Sequence, residues 1–178
     1  FDSLIPALQS GKADLVAAGM TADEERRKSV DFSDPYFNAS QAIIVTADSE
    51  IAGPEDLADK TVGVQLGTTG DQYCTNEKGE NEYTVAEVRR YNKGMEAVSD
   101  LMAGRIDAVV IDNFPAQKFV ENNPDAIKVL DTALTEEEYA IAVPKGNTEL
   151  LDKVNEVLAS LEESGELDEI VGKYIAAE

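Results

Sequence analysis

Four short stretches hold the residues best suited to chemistry: Gly19-Met20-Thr21 with Arg26, Gln65, Gly67-Thr68-Thr69-Gly70, and Asp112. Arg26 offers a planar guanidinium that can grip a carboxylate with two parallel hydrogen bonds. The turns around Gly19 and Gly67 read as strand-to-helix junctions, where unpaired backbone N–H groups attract anions. Asp112 supplies the opposite sign and can neutralise an ammonium. Anion and cation recognition side by side fit the α-carboxylate and α-amino group of an amino acid. Each piece also has a purely structural reading. Arg26 in EERRKS can be a solvated first-turn side chain, GTTG a plain turn, Asp112 a helix cap, and Thr21 with Glu24 a capping box. Their joint placement at strand ends, where open parallel sheets bind ligands, favours the functional reading.

Composition removes several alternatives. The 178 residues carry 36 acidic and 15 basic side chains, a net charge of −21, which disfavours nucleic acid and anionic lipid as partners. There is no histidine, so the commonest general base is missing. The single cysteine, Cys74, permits no internal disulfide and none of the usual zinc spacings. It reads as a small buried hydrophobe rather than a reactive thiol. GTTG is followed by Asp71, not by the Lys-Ser/Thr of a nucleotide P-loop, and no cofactor is expected. No apolar run approaches a membrane span, and no signal peptide is visible.

The elements that must position these residues are announced by a repeat. LQSGKADLVAAGM (Leu8–Met20) and LMAGRIDAVVIDN (Leu101–Asn113) share Leu, two residues, Gly, a base, one residue, Asp and an apolar run. Each copy reads as a helix stopped by a left-handed glycine and feeding a buried strand, here Asp14–Ala18 and Asp107–Ile111. The helix of the second copy is expected to bury Met95, Val98 and Met102. Further strands are expected at Gln41–Ala47, Thr61–Gln65, Glu87–Tyr91, Ala126–Leu130 and Glu138–Val143, with a helix near Asp71–Lys78. The tail keeps apolar helical faces at Leu150, Leu151, Val154, Val157, Leu158 and Leu161, then at Leu167, Ile170, Val171 and Tyr174. Strands alternating with helices predict an α/β protein of parallel, doubly wound type in two lobes. Residues 1–38 and 138–178 form the first lobe, 41–135 the second, with crossings near 37–42 and 136–141.

Five blocks, FDSLIPALQSGKADLVAAGMT, ERRKSVDFSDPYF, GVQLGTTGDQY, LMAGRIDAVVIDN and GELDEIVGKY, occur in that order. Together they resemble the amino-acid-binding members of the type II extracytoplasmic solute receptors that serve ABC importers, along essentially the whole chain. The resemblance implies a binding protein that captures a polar or charged L-amino acid by hinge closure and presents it to the membrane subunits of an ABC transporter. It implies roles residue by residue. Phe1 matches the aromatic that packs on the ligand side chain, and Ala18 can offer its carbonyl to the ammonium. Gly19 and Thr21 match the loop that binds ligand through backbone and hydroxyl, and Arg26 the carboxylate-binding arginine. Thr69 with Thr68 matches the second-lobe carboxylate contact, Asp112 the acid on the ammonium, and Gln65 a position that varies with specificity.

In that family a strand, a helix and a second strand precede the position of Phe1, and a signal segment lies further upstream. The first lobe is therefore expected to be incomplete, with a frayed edge at Asp14–Ala18 and a pocket open on one side, unless a second chain or a domain swap completes it. Sensor modules and cyclohexadienyl dehydratases share the fold. The dehydratase reading lacks a free general acid, because Asp112 is committed to the ammonium.

Overall fold

Local signals account for most of the elements in the computed structural model, which describes residues 1–76 and 84–175. Two helices come first, α1 (Leu4–Gln9) and α2 (Glu24–Arg27), followed by the strands β1 (Val30–Ala39), β2 (Gln41–Thr46) and β3 (Thr61–Gln65). Next are α3 (Thr69–Thr75), β4 (Glu87–Tyr91), α4 (Gly94–Met102), β5 (Ala108–Asp112), α5 (Asn113–Asn122) and β6 (Ile127–Val129). The last three are β7 (Glu137–Pro144), α6 (Thr148–Ser164) and α7 (Glu166–Tyr174). The helix expected near Asp71–Lys78 is described as far as Thr75, and Lys78 lies outside the described residues. The chain divides into a middle unit, Ser40–Glu136 with Phe1, and an outer unit, Asp2–Ala39 with the chain from Glu137 onward.

The middle unit holds a five-stranded sheet in the order β4-β3-β5-β2-β6. It is mixed, not wholly parallel: β3 runs parallel to β4 and β5, whereas β2 is antiparallel to β5 and β6. Both faces are covered, which explains the unbroken apolar runs. Ala42, Ile44, Val109 and Ile111 pack with α4 and α5 on one face. Ile43, Val45, Ala108 and Val110 pack with Cys74 of α3 on the other. Strand alternation sends neighbours to opposite layers, so both layers are filled chiefly by apolar residues.

The buried stripe of α4 differs from the expected one. Gly94, Ala97, Val98 and Leu101 face the sheet, while Met95 and Met102 are 60% and 42% exposed. The reason is spacing. A Cβ on Gly94 would stand 2.5 Å from Ile111 Cδ1, so the first turn of the helix lies close to β5 there, while Val98 and Leu101 fill the same face further along. Gly94 and Ala97 let the helix approach, Val98 and Leu101 fill the face, and the methionines are left outside.

The outer unit is built on β1 and β7, paired antiparallel. Strand β1 was not legible, because Pro35 sits inside it and proline argues against a regular strand. The ladder accommodates it with register shifts on both sides of Pro35. Where β1 bulges, the buried Ser33 hydroxyl accepts the N–H of Ile141 and replaces a ladder bond. The strand expected at Asp14–Ala18 is absent. Only Val16 bridges, antiparallel to Ala142, and Leu15 is 40% exposed. A strand needs a ladder of partners for its backbone, and that segment has one bridge. Helix α6 touches β1 through Asn155 Oδ1, which accepts the Asp34 N–H at 2.9 Å. No residue of α6 or α7 is buried.

Candidate functional site

In the outer unit, the segment Ala18–Arg26 is laid along β7. Met20 O accepts the Ala140 N–H at 3.1 Å, and Ala22 N–H donates to Glu138 O at 3.2 Å. Gly19 allows this approach, since a Cβ there would lie 3.1 Å from the ring of the buried Tyr139. Tyr36 and Phe37 stack against the same ring at centroid distances of 6.5 and 5.9 Å. The Ala18 carbonyl already accepts the Tyr36 hydroxyl at 2.8 Å and Met20 N–H at 2.6 Å. Burial pushes the Tyr36 phenol above its ordinary pKa, so it stays a donor.

Arg26 is not a solvated first-turn side chain: it is 6% exposed. Its Nη1 donates to Thr21 O at 2.9 Å, and its Nε lies 3.5 Å from Asp23 Oδ2. A guanidinium out of water must have such partners. Asp23, rather than a Thr21–Glu24 box, caps α2 by accepting Arg26 N–H at 2.7 Å. The Thr21 hydroxyl is turned instead to Glu137, donating to Oε2 at 2.6 Å. Glu137 is buried, and sequence reasoning missed it, because TEEEY reads as a solvated acidic run.

In the middle unit, β3 ends at Gln65 and the chain turns on Gly67, whose φ of +78° favours glycine. Thr68 caps α3: its hydroxyl accepts Asp71 N–H at 3.3 Å and donates to Gln65 O at 2.8 Å. The turn is stapled from below by Asp71, only 6% exposed, which accepts Gly67 N–H at 3.1 Å and Arg90 Nε–H at 2.9 Å. Gln65 is half-buried, with its amide donating to Asn92 O at 3.1 Å. Thr69 and Asp112 come together through a residue missed at the sequence level. Gln41, fully buried, donates from Nε2 to Thr69 Oγ1 at 2.9 Å and to Asp112 Oδ1. Asp112 occupies the cap position of α5 without a side-chain capping bond, so its carboxylate serves Gln41 rather than the helix. A polar residue heading the apolar run QAIIVT was the available signal.

Phe1 is half-buried and groups with the middle unit. Cys74 is buried, and burial together with the nearby Asp71 charge pushes its thiol up to about 12, which makes it inert at neutral pH. Among the described residues, no cluster of three or more His, Cys, Asp or Glu could hold a metal ion. No helix there is long and apolar enough to cross a membrane.

A two-unit α/β chain with a buried guanidinium in one unit and a carboxylate–hydroxyl pair in the other has the make-up of a small-molecule receptor. The chain belongs to the bacterial extracellular solute-binding proteins, family 3, whose family model matches residues 1–177. It is 37% identical to a probable histidine-binding protein of Neisseria gonorrhoeae, along all of this chain and 66% of the relative. It is 38% identical to the arginine-binding extracellular protein ArtP of Bacillus subtilis, along all of this chain and 69% of that one. Among solved structures, an ancestral arginine-binding protein bound to arginine aligns with a TM-score of 0.89 and 46% identity, covering 99% of this chain and 77% of its own. The chain thus spans about two thirds of the length of the curated relatives it matches.

Proposed function

We propose that this chain is the amino-acid-capturing part of an ABC importer's substrate-binding component, working outside the cytoplasm without chemical turnover. The ligand is a polar or charged L-amino acid, with L-arginine the first candidate. Relatives named for arginine and histidine support a cationic side chain, and the net charge of −21 suits a cation. Arg26, with Gly19 and Thr21, takes the ligand carboxylate. Thr69, at the turn that Thr68 caps, adds a second carboxylate contact, and Asp112 holds the ammonium; the Ala18 carbonyl, engaged by Tyr36 and Met20, is not needed for it. Phe1 and Gln65 meet the side chain. The ligand favours a closed state by hinge motion, because only closure lets it use both sets of residues. The membrane subunits of the transporter read that closed state.

The observation that carries this reading is the burial of Arg26. The Thr21 carbonyl and Asp23 hold the guanidinium 6% exposed in a set orientation, which pre-organises its planar fork for a carboxylate. The experiment is a thermal-shift screen of the twenty L-amino acids, followed by calorimetry on the hits. A ligand present at about 100 times its Kd adds roughly 2.7 kcal/mol of stability, a shift readily seen. We expect L-arginine or another polar amino acid to raise the melting temperature without being consumed. A chain indifferent to all twenty would refute the proposal.

A further inference from the structure

Gln41 heads β2, and its backbone N–H is pinned to Thr135 Oγ1 at 2.9 Å. Its side chain is wholly inside the protein, an expensive place for a primary amide unless its hydrogen bonds matter. Nε2 reaches two groups from different elements, Thr69 Oγ1 of α3 at 2.9 Å and Asp112 Oδ1 at the end of β5. An ionised carboxylate only accepts, so the nitrogen, not the oxygen, of the amide must face Asp112. The other side of the amide is equally confined. A Cβ on Gly70 would stand 2.7 Å from Gln41 Oε1 and 3.1 Å from the Val110 carbonyl oxygen. Gly70 therefore lets α3 press the amide against β5, and the amide has little room to turn.

We infer that Gln41 is a positioning residue for the ammonium end of the ligand, acting through Asp112 and Thr69, which it ties into one preset unit. The inference rests on the amino-acid reading above. A carboxylate with one oxygen already held presents a fixed face to an arriving cation and loses less freedom on binding. Loss of the amide should then weaken recognition of the α-amino group while leaving recognition of the rest of the ligand almost untouched.

The test compares L-arginine with its desamino analogue, 5-guanidinopentanoate, by calorimetry on the full chain. Where the wild type prefers another amino acid, that one and its desamino form take their place. Gln41→Met keeps the volume and removes the donors. It is expected to weaken L-arginine by about tenfold or more, the scale of a lost hydrogen bond to a charged group, and to change the analogue by less than about threefold. Gly70→Ala displaces the amide without removing it, and is expected to give a smaller loss with the same selectivity for the amino group. It carries the test alone should Gln41→Met fail to fold. Equal losses for both ligands would mean that Gln41 merely supports the fold and would overturn the inference, as would unchanged affinities in folded variants. A wild type that binds no amino acid would instead overturn the functional reading, and this inference with it.

Discussion

The two copies of the repeated motif begin alike and end differently. Gly11 and Gly104 both have φ of +68°. Around them the same pair of bonds closes each helix: Gly11 N–H to Leu8 O and Lys12 N–H to Ala7 O, against Gly104 N–H to Leu101 O and Arg105 N–H to Asp100 O. Beyond the glycine the copies diverge. Ala108–Asp112 is a central strand, parallel to β3 on one side and antiparallel to β2 on the other. The matching stretch after Gly11 makes one bridge, at Val16. At aligned positions, Ala108 is fully buried and Leu15 is 40% exposed. Asp107 and Asp14 are both exposed, but Asp107 exchanges bonds with the neighbouring strand at Thr61 through its N–H and Oδ2. Four or five residues suffice to end a helix, but a strand exists only where neighbours complete its ladder.

The sharpest way to break this comparison is to place the same charge at aligned positions. Val110→Asp puts an unpaired carboxylate into the closed layer with Ile43 and Val64. It is expected to cost about 4 kcal/mol or more and to unfold the middle unit in a denaturant titration. Ala17→Asp, at the matching exposed position, is expected to stay within about 0.5 kcal/mol. Comparable losses would mean that the first copy is buried after all. The shared half is tested by Gly11→Ala and Gly104→Ala. A Cβ at either site meets nothing within 4 Å, so only the left-handed backbone resists it. Each variant should lose about 1 kcal/mol, and by nearly the same amount. A clear inequality would show that tertiary surroundings reach into the turn as well.

The same division between local and distant causes decides what could be read from the sequence. The strands Thr61–Gln65 and Glu87–Tyr91 were legible to the residue, because each is a short run containing β-branched or aromatic residues. Burial of Cys74 was legible from its residue type, a small hydrophobe. The face of α4 was not, because a tight approach to Ile111 favours Gly94 and Ala97 over the more apolar methionines. Nor was β1, whose Pro35 is absorbed by shifts in a ladder with a strand far along the chain. Within the candidate site, Arg26, Asp112 and the turn that holds Thr69 were proposed from residue type and position at strand ends, and that role is still a proposal. Gln41 and Glu137 were not, since their partners lie 71 and 116 positions away and pairing at that range leaves no mark on local pattern. Thr68, a ligand contact by resemblance within what reads as a plain turn, caps α3 in the structure.

The most direct measurement is a calorimetric cycle crossing Arg26→Ala with removal of the ligand carboxylate, using L-arginine and agmatine. If the buried guanidinium reads the carboxylate, the variant should bind L-arginine more than tenfold weaker, a loss of about 2 kcal/mol or more. Agmatine, which has no carboxylate, should bind wild type and variant equally, showing that the rest of the site is intact. An Arg26→Ala protein that binds L-arginine as tightly as the wild type would contradict the account.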